Sequence, residues 1–165
     1  LGKFIAEAQQ KSWFKNTVFV VVADHCASSA GKWEINIDKH HIPAIIYNLP
    51  HEPQKIGRLA SQIDVMPTLF GYLNWNYNTA LYGKDINQMK AGEERAFIGN
   101  YRTLGMMKEN LFTQIDDRKR VKQFRVSETD KFLSEVKNQN KELVSETISY
   151  YQTASERFKN AKMKE

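Results

Sequence analysis

The chain has 165 residues, of which 41% are hydrophobic and 12% aromatic, so it has enough apolar residues for one domain with a sizeable core. Its most apolar run, Thr17 to Ala23, is too short to cross a bilayer, and the first ten residues lack the pattern of a signal peptide. The net charge of +5 is spread along the chain and mixed with Glu, which argues against nucleic-acid binding. The single cysteine, Cys26, excludes an intramolecular disulfide and a cysteine-rich zinc site.

The first half of the chain predicts an α/β layer. Residues Leu1 to Phe14 carry apolar side chains at helical spacing, and the β-branched run Thr17 to Ala23 predicts a strand covered on both faces. Ile42 to Tyr47 predicts a second, parallel strand, and Ser61 to Leu73 a further helix. Because Leu1 already lies in the helical pattern with no capping residue before it, we expect further polypeptide upstream.

The second half predicts a small β unit followed by a helix. Short strands are predicted at Ala96–Gly99, Leu104–Met107, Leu111–Ile115 and Val121–Val126, separated by turn residues, as in an antiparallel meander. Residues 128–165 contain no Gly or Pro and carry an apolar stripe at helical spacing, which predicts a long C-terminal helix. We therefore divide the chain into residues 1–127, comprising an α/β part (1–83) and a β meander (84–127), and the helix at 128–165.

Asp24 and His25 directly follow the first predicted strand, and they are the sharpest chemical feature of the sequence. In open α/β sheets, ligands gather at the carboxyl ends of strands, where loops leave the sheet. An oxygen donor beside a nitrogen donor suits a divalent cation. The alternative is an Asp that forms a turn beside a His on the polar surface.

Three segments in order carry a family resemblance. They are Ala23-Asp24-His25 after an apolar strand, His41-Ile42-Pro43-Ala44-Ile45-Ile46-Tyr47, and Ser61-Gln62-Ile63-Asp64-Val65-Met66-Pro67-Thr68-Leu69. Together they resemble the C-terminal half of the sulfatase-like branch of the alkaline phosphatase superfamily. The resemblance covers roughly Leu1 to Tyr82 and is strongest to membrane-anchored phosphoglycerol transferases and lipoteichoic acid synthases.

This resemblance implies a metal-dependent enzyme acting on phosphate or sulfate esters. Asp24 and His25 would be two ligands of a catalytic manganese, zinc, magnesium or calcium ion. The nucleophile, a Thr or a residue made from Cys, would lie in the N-terminal half, so we expect no catalytic nucleophile in this chain and no activity from the isolated fragment. Cys26 lacks the Cys-x-Pro-x-Arg setting that sulfatases modify, and a small packed side chain is its expected role.

Four further residues are candidates for substrate binding. Ser28, Ser29 and Lys32 lie in the loop beside the Asp-His pair, where hydroxyl and ammonium groups suit an anionic substrate, although we favour the alternative that they cap the loop backbone. His41 enters the next strand and is either a site residue or an ordinary strand-end histidine. We interpret Asp64 as structural, at the start of a helix. Six aromatic residues could line a glycan or lipid headgroup surface, but we expect their rings to be buried against the sheet: Trp75, Tyr77, Tyr82, Tyr101, Tyr150 and Tyr151.

The resemblance also sets expectations about location and partners. It implies an extracytoplasmic domain in the bacterial cell envelope, held to the membrane only through upstream segments, whose partners are its missing N-terminal half and a lipid headgroup or glycan substrate. The competing hypothesis is a noncatalytic binding or docking module, in which the Asp-His pair is structural and the C-terminal helix is the docking surface.

Overall fold

A computed structural model describes residues 1–26, 35–127 and 133–163. The N-terminal part contains a two-stranded sheet of β1 (Phe19–Val22) and β2 (Ala44–Tyr47), paired antiparallel with Val20 opposite Ile46. The predicted parallel arrangement is therefore wrong, because a β-branched run indicates a strand without indicating its direction. No residue of β1 is fully buried, so the described residues do not provide the predicted cover on both faces.

Helix α1 (Gly2–Ala8) is shorter than the helix predicted over Leu1 to Phe14. After Ala8 the chain leaves the helix and forms a 3-10 turn at Phe14–Asn16. Phe4 of α1 packs edge-on against Phe19 of β1, with ring centroids 5.9 Å apart. The side chain of Asn48, just after β2, donates to the carbonyl oxygens of Phe14 and Thr17, both at 2.8 Å, and so ties the end of β2 to this turn.

Helix α2 (Val65–Tyr72) follows a 3-10 turn at Gln62–Asp64, in agreement with the predicted helix. Ser61 and Asp64 form a capping box, in which the Asp64 carboxylate accepts from the Ser61 backbone N–H at 2.8 Å. Asp64 thus has the structural role expected from the sequence. It also forms a buried ion pair with Arg95, at 2.8 and 2.9 Å, which the sequence did not predict.

The second half forms a five-stranded antiparallel sheet in which the strands follow one another in chain order. Its strands are β3 (Ala96–Gly99), β4 (Thr103–Lys108), β5 (Leu111–Asp116), β6 (Val121–Val126) and β7 (Leu133–Glu135). The four predicted strands are confirmed within one residue at each end. The helix prediction is wrong for Leu133–Glu135, which pairs with Phe124–Val126.

Helix α3 (Lys141–Lys159) begins later than predicted, at a well-defined cap. The Asn140 side chain accepts from the backbone N–H groups of Glu142 and Leu143, while the backbone N–H of Asn140 donates to the buried Gln123 side chain at 2.7 Å. The helix packs on the sheet, where the Tyr151 hydroxyl donates to the Gly105 carbonyl at 2.7 Å. The combination of an α/β part, an antiparallel β unit and a C-terminal helix is confirmed.

The core of the sheet region is formed by four buried apolar residues, Ile35, Ile98, Phe112 and Val126. Among the residues that the structure describes, none of the helices combines the length and the apolar character needed to cross a membrane.

Candidate metal-binding site

Asp24 and His25 lie just beyond the carboxyl end of β1, where the prediction placed them. The strand end is fixed on two sides, because the Ala23 N–H donates to the Pro43 carbonyl at 3.3 Å and the Gln62 amide donates to the Ala23 carbonyl at 3.0 Å. Beyond this anchored position the two side chains project outward, with Asp24 88% and His25 66% exposed. Both are therefore open to a cation or to another part of a larger protein.

The imidazole of His25 has a defined orientation. Its Nδ1 lies 2.9 Å from the Cys26 carbonyl oxygen. Because a carbonyl oxygen only accepts hydrogen bonds, Nδ1 carries a hydrogen, and in the neutral ring the lone pair is on Nε2. That nitrogen faces Asp24, with 3.5 Å between Nε2 and the carboxylate Oδ2. A metal-binding histidine commonly has this arrangement, in which the second ring nitrogen is held by a carbonyl.

The spacing of the two donor atoms fits a shared cation. Two ligand atoms bound about 2.1 Å from one ion at a tetrahedral angle are about 3.4 Å apart, close to the 3.5 Å between Asp24 Oδ2 and His25 Nε2. The same distance forms an ion pair when the ring is protonated. Between side chains as exposed as these, such a pair contributes little to stability.

The pair borders an open groove of about 2010 Å³. One wall is β2 and the other is β3, which are both edge strands among the described residues. The four histidines of the chain all line this groove: His25, His40, His41 and His51. Concave, partly polar grooves of this kind are the usual location of ligand sites.

The other candidate residues have different outcomes. His41 is exposed, lines the groove, and lies close to the Asp-His loop, since the Cys26 thiol donates to its carbonyl at 3.3 Å. His40 also lines the groove, from a 3-10 turn at Asp38–His40 rather than from a strand. Ser28, Ser29 and Lys32 lie outside the described residues.

No group of three His, Cys, Asp or Glu side chains converges tightly enough to hold a metal ion within residues 1–26, 35–127 and 133–163. The described part of the chain thus brings a pair of donors together and no complete coordination shell.

Arg58, a cation of the groove wall, is held by several hydrogen bonds. Its guanidinium donates to Glu94 at 2.6 Å and to the carbonyls of Ile86 and Met89, at 3.0 and 2.6 Å. The hydrogen bonds from Arg58 hold the pKa of Glu94 below its ordinary value. Arg58 is therefore a structural brace of the groove.

Two comparisons with known proteins agree with this architecture. The Sulfatase family model matches residues 1–75, a span that contains the Asp24-His25 pair, both strands of the small sheet and α2. A crystal structure of a protein in the alkaline phosphatase superfamily from Vibrio parahaemolyticus matches with a TM-score of 0.89 and 23% sequence identity. The match covers 98% of this chain and 40% of that chain, so this chain spans less than half the length of the solved protein.

The structural match extends beyond residue 75 to the five-stranded sheet and α3, which the family model does not cover. At 23% identity it shows that the fold is shared. The resemblance found in the sequence is supported by the family model over residues 1–75 and by the shared fold. Residues 1–75 are thus similar to the Sulfatase family, and the chain has the fold of part of a solved protein in the alkaline phosphatase superfamily.

Proposed function

We propose that this chain is the C-terminal portion of the catalytic domain of a metal-dependent enzyme that acts on phosphate or sulfate esters. Asp24 and His25 are its contribution to the metal site. The proposal depends chiefly on one observation, the approach of Asp24 Oδ2 to within 3.5 Å of His25 Nε2 at the end of β1. This pair lies inside the segment that matches the Sulfatase family.

The remaining ligands and the nucleophile would come from an N-terminal half of the same protein. A site shared between two parts of the protein is consistent with the described residues, which bring two metal-ligand side chains together and not three. A divalent ion bound there would neutralise charge on the transferred group and lower the pKa of a hydroxyl nucleophile. Within this chain, Cys26 fixes the His25 ring through its carbonyl, and the groove provides room for the ester.

The ion is manganese, zinc, magnesium or calcium in this proposal, because a carboxylate and an imidazole suit several divalent cations. Ser28, Ser29, Lys32 and His41 are proposed contacts for the anionic group of the substrate. The support for His41 is its exposed position on the groove and its link to the Cys26 thiol.

Among superfamily activities, we favour a phosphoglycerol transferase of the bacterial cell envelope, with a lipid headgroup or glycan as substrate. The support is the Asp-His dipeptide followed by the His41–Tyr47 and Ser61–Leu69 segments, which resemble that branch. The catalytic domain would lie outside the cytoplasm and be held to the membrane by upstream segments.

The test uses the full-length protein with conservative substitutions. Asp24→Asn and His25→Gln should each lower the bound metal and the turnover of a 4-nitrophenyl phosphate or sulfate ester by at least about tenfold, since mutation even of groups supporting the ligands costs about 10- to 100-fold. Folding should be unchanged because both side chains are exposed. The matched control is His51→Gln, which lies on the same groove with its ring against Tyr72. Unchanged metal content and turnover in both site variants would refute the assignment.

A second candidate is a noncatalytic docking module. It is favoured by the exposed apolar side chains near the two-stranded sheet, among them Phe4, Trp13 and Ile45. In this candidate Asp24 and His25 form only a surface ion pair. The same experiment separates the two candidates. If the chain is a docking module, the Asp24→Asn substitution should change neither the bound metal nor the ester turnover.

A further inference from the structure

A second concave site lies away from the histidine-lined groove, at the C-terminal end of α2. It is a cleft of about 420 Å³, and its lining includes Trp75, Tyr77, Lys84, Asp85, Gln88 and Glu93. We propose that this cleft binds the pyranose ring of a carbohydrate, with Trp75 and Tyr77 as the aromatic platform. The proposal does not depend on Asp24 or His25, so it stands or fails separately from the proposed enzymatic function.

The platform is held rigidly by the way α2 ends. Asn74 adopts a left-handed conformation, with φ of 52°, and its N–H donates to the Gly71 carbonyl at 3.1 Å. The Trp75 N–H donates to the Phe70 carbonyl at 3.0 Å. This pair of bonds is a Schellman motif, which commonly brings an apolar contact between the two residues joined by the longer bond. Here that contact is the Trp75 ring stacked on Phe70, with centroids 5.4 Å apart.

Phe70 supports a second ring from the side. Tyr77 meets Phe70 edge-on, with centroids 4.9 Å apart and planes at 70°. One ring therefore fixes the position of two others. In spite of this support, Trp75 remains 59% exposed and Tyr77 44% exposed. The expectation that these rings are buried is thus wrong, because the helix cap uses only one side of the indole.

Polar groups with fixed orientations stand beside the rings. The Gln88 amide donates to Asp85 Oδ2 at 3.0 Å, and Asp85 Oδ1 accepts from the Asn87 N–H at 2.9 Å. Lys84 and Glu93 form an ion pair at 3.3 Å. The cleft therefore offers amide, carboxylate and ammonium groups whose positions are set before any ligand arrives, which lowers the entropic cost of binding.

This combination complements a pyranose. Such a ring has a flat face of axial C–H groups, which packs on an aromatic ring, and a rim of equatorial hydroxyls, which both donate and accept hydrogen bonds. A free phosphate would meet two carboxylates, Asp85 and Glu93, against the single cation Lys84. A lipid chain would remove these charged and polar groups from water without forming hydrogen bonds to them, at a cost. The volume, at the low end of the range for small-molecule pockets, also suits a monosaccharide unit.

The test follows the indole N–H signals of the ¹⁵N-labelled chain during titration with three methyl pyranosides, those of glucose, galactose and N-acetylglucosamine. The chain has three tryptophans, and Trp13 serves as the internal reference because it belongs to the aromatic cluster around Phe19. At least one pyranoside should shift the Trp75 signal saturably, with a Kd of about 1 mM for a ligand of this size. Glycerol and inorganic phosphate, which lack the ring, should leave the signal unchanged.

Variants connect this shift to the platform. Tyr77→Leu preserves the Schellman motif and the Trp75 signal, and it should weaken binding about tenfold. The matched control, Trp13→Leu, should bind as the parent does. The proposal is overturned if no pyranoside gives a saturable shift, if phosphate gives the same shift, or if Tyr77→Leu binds with unchanged affinity.

Discussion

Replacing Arg95 by Met should destabilise the protein strongly, because it leaves a carboxylate buried without its countercharge. The side chains of Arg95 and Asp64 are 1% and 0% exposed, and two hydrogen bonds at 2.8 and 2.9 Å join them. Breaking a buried pair by removing one partner costs about 3–5 kcal/mol. In the variant, Asp64 still accepts hydrogen bonds from the backbone N–H groups of Ser61 and Lys84, both at 2.8 Å. We therefore expect the free energy of unfolding to fall by about 3 kcal/mol, the lower end of this range.

A loss of this size lowers the melting temperature of a domain of this length by about 6–12 °C. The free energy of unfolding is measured by urea denaturation followed by circular dichroism, at constant m-value. The matched control is Arg102→Met, whose ion pair with Asp117 is half exposed and should cost at most about 1 kcal/mol. If the Arg95 variant loses no more stability than the Arg102 variant, the structural role assigned to the buried pair is wrong.

Three further predictions concern other parts of the chain. Gly71→Ala should lower the free energy of unfolding by about 1–3 kcal/mol, since its Cβ would clash with the Asp85 carboxylate, whereas Gly57→Ala meets no atom within 4 Å and should be nearly neutral in thermal denaturation. Burial raises the pKa of Tyr151 to about 12, so its stabilisation is complete below about pH 10 and is lost as the pH rises from about 10 to 12. Stability measured against pH should therefore fall across that window in the parent but not in Tyr151→Phe. Finally, chain 1–165 alone should show no metal-dependent turnover of nitrophenyl esters, and measurable turnover would contradict the assignment of the nucleophile to another segment.

Local sequence patterns predicted the strands of the five-stranded sheet well, because the residues that define each strand lie within that strand and its flanking turns. The strands from Ala96 to Val126 are short segments containing apolar residues and separated by turn residues, so each could be located from its own segment. Strand β7 was missed because Leu133–Glu135 owes its conformation to pairing with β6. The direction of β2 relative to β1 likewise depends on pairing, which the composition of neither strand reveals.

In the candidate site, too, some features were predictable from a short segment and others depend on how the chain folds. The position of Asp24 and His25 after a strand was predictable from a single short segment. The location of His40 and His51 on the same groove follows only from how the chain folds back. The pairing of Asp64 with Arg95, 31 residues away, had no local signal either, because a charged residue after a loop ordinarily predicts an exposed side chain.

The central claim is that Asp24 and His25 together bind a divalent cation, and a crystal structure of the full-length protein grown with zinc tests it most directly. The account predicts an anomalous scattering peak about 2.0–2.2 Å from both Asp24 Oδ2 and His25 Nε2. A peak bound to other residues, with these two side chains directed apart, would contradict the account.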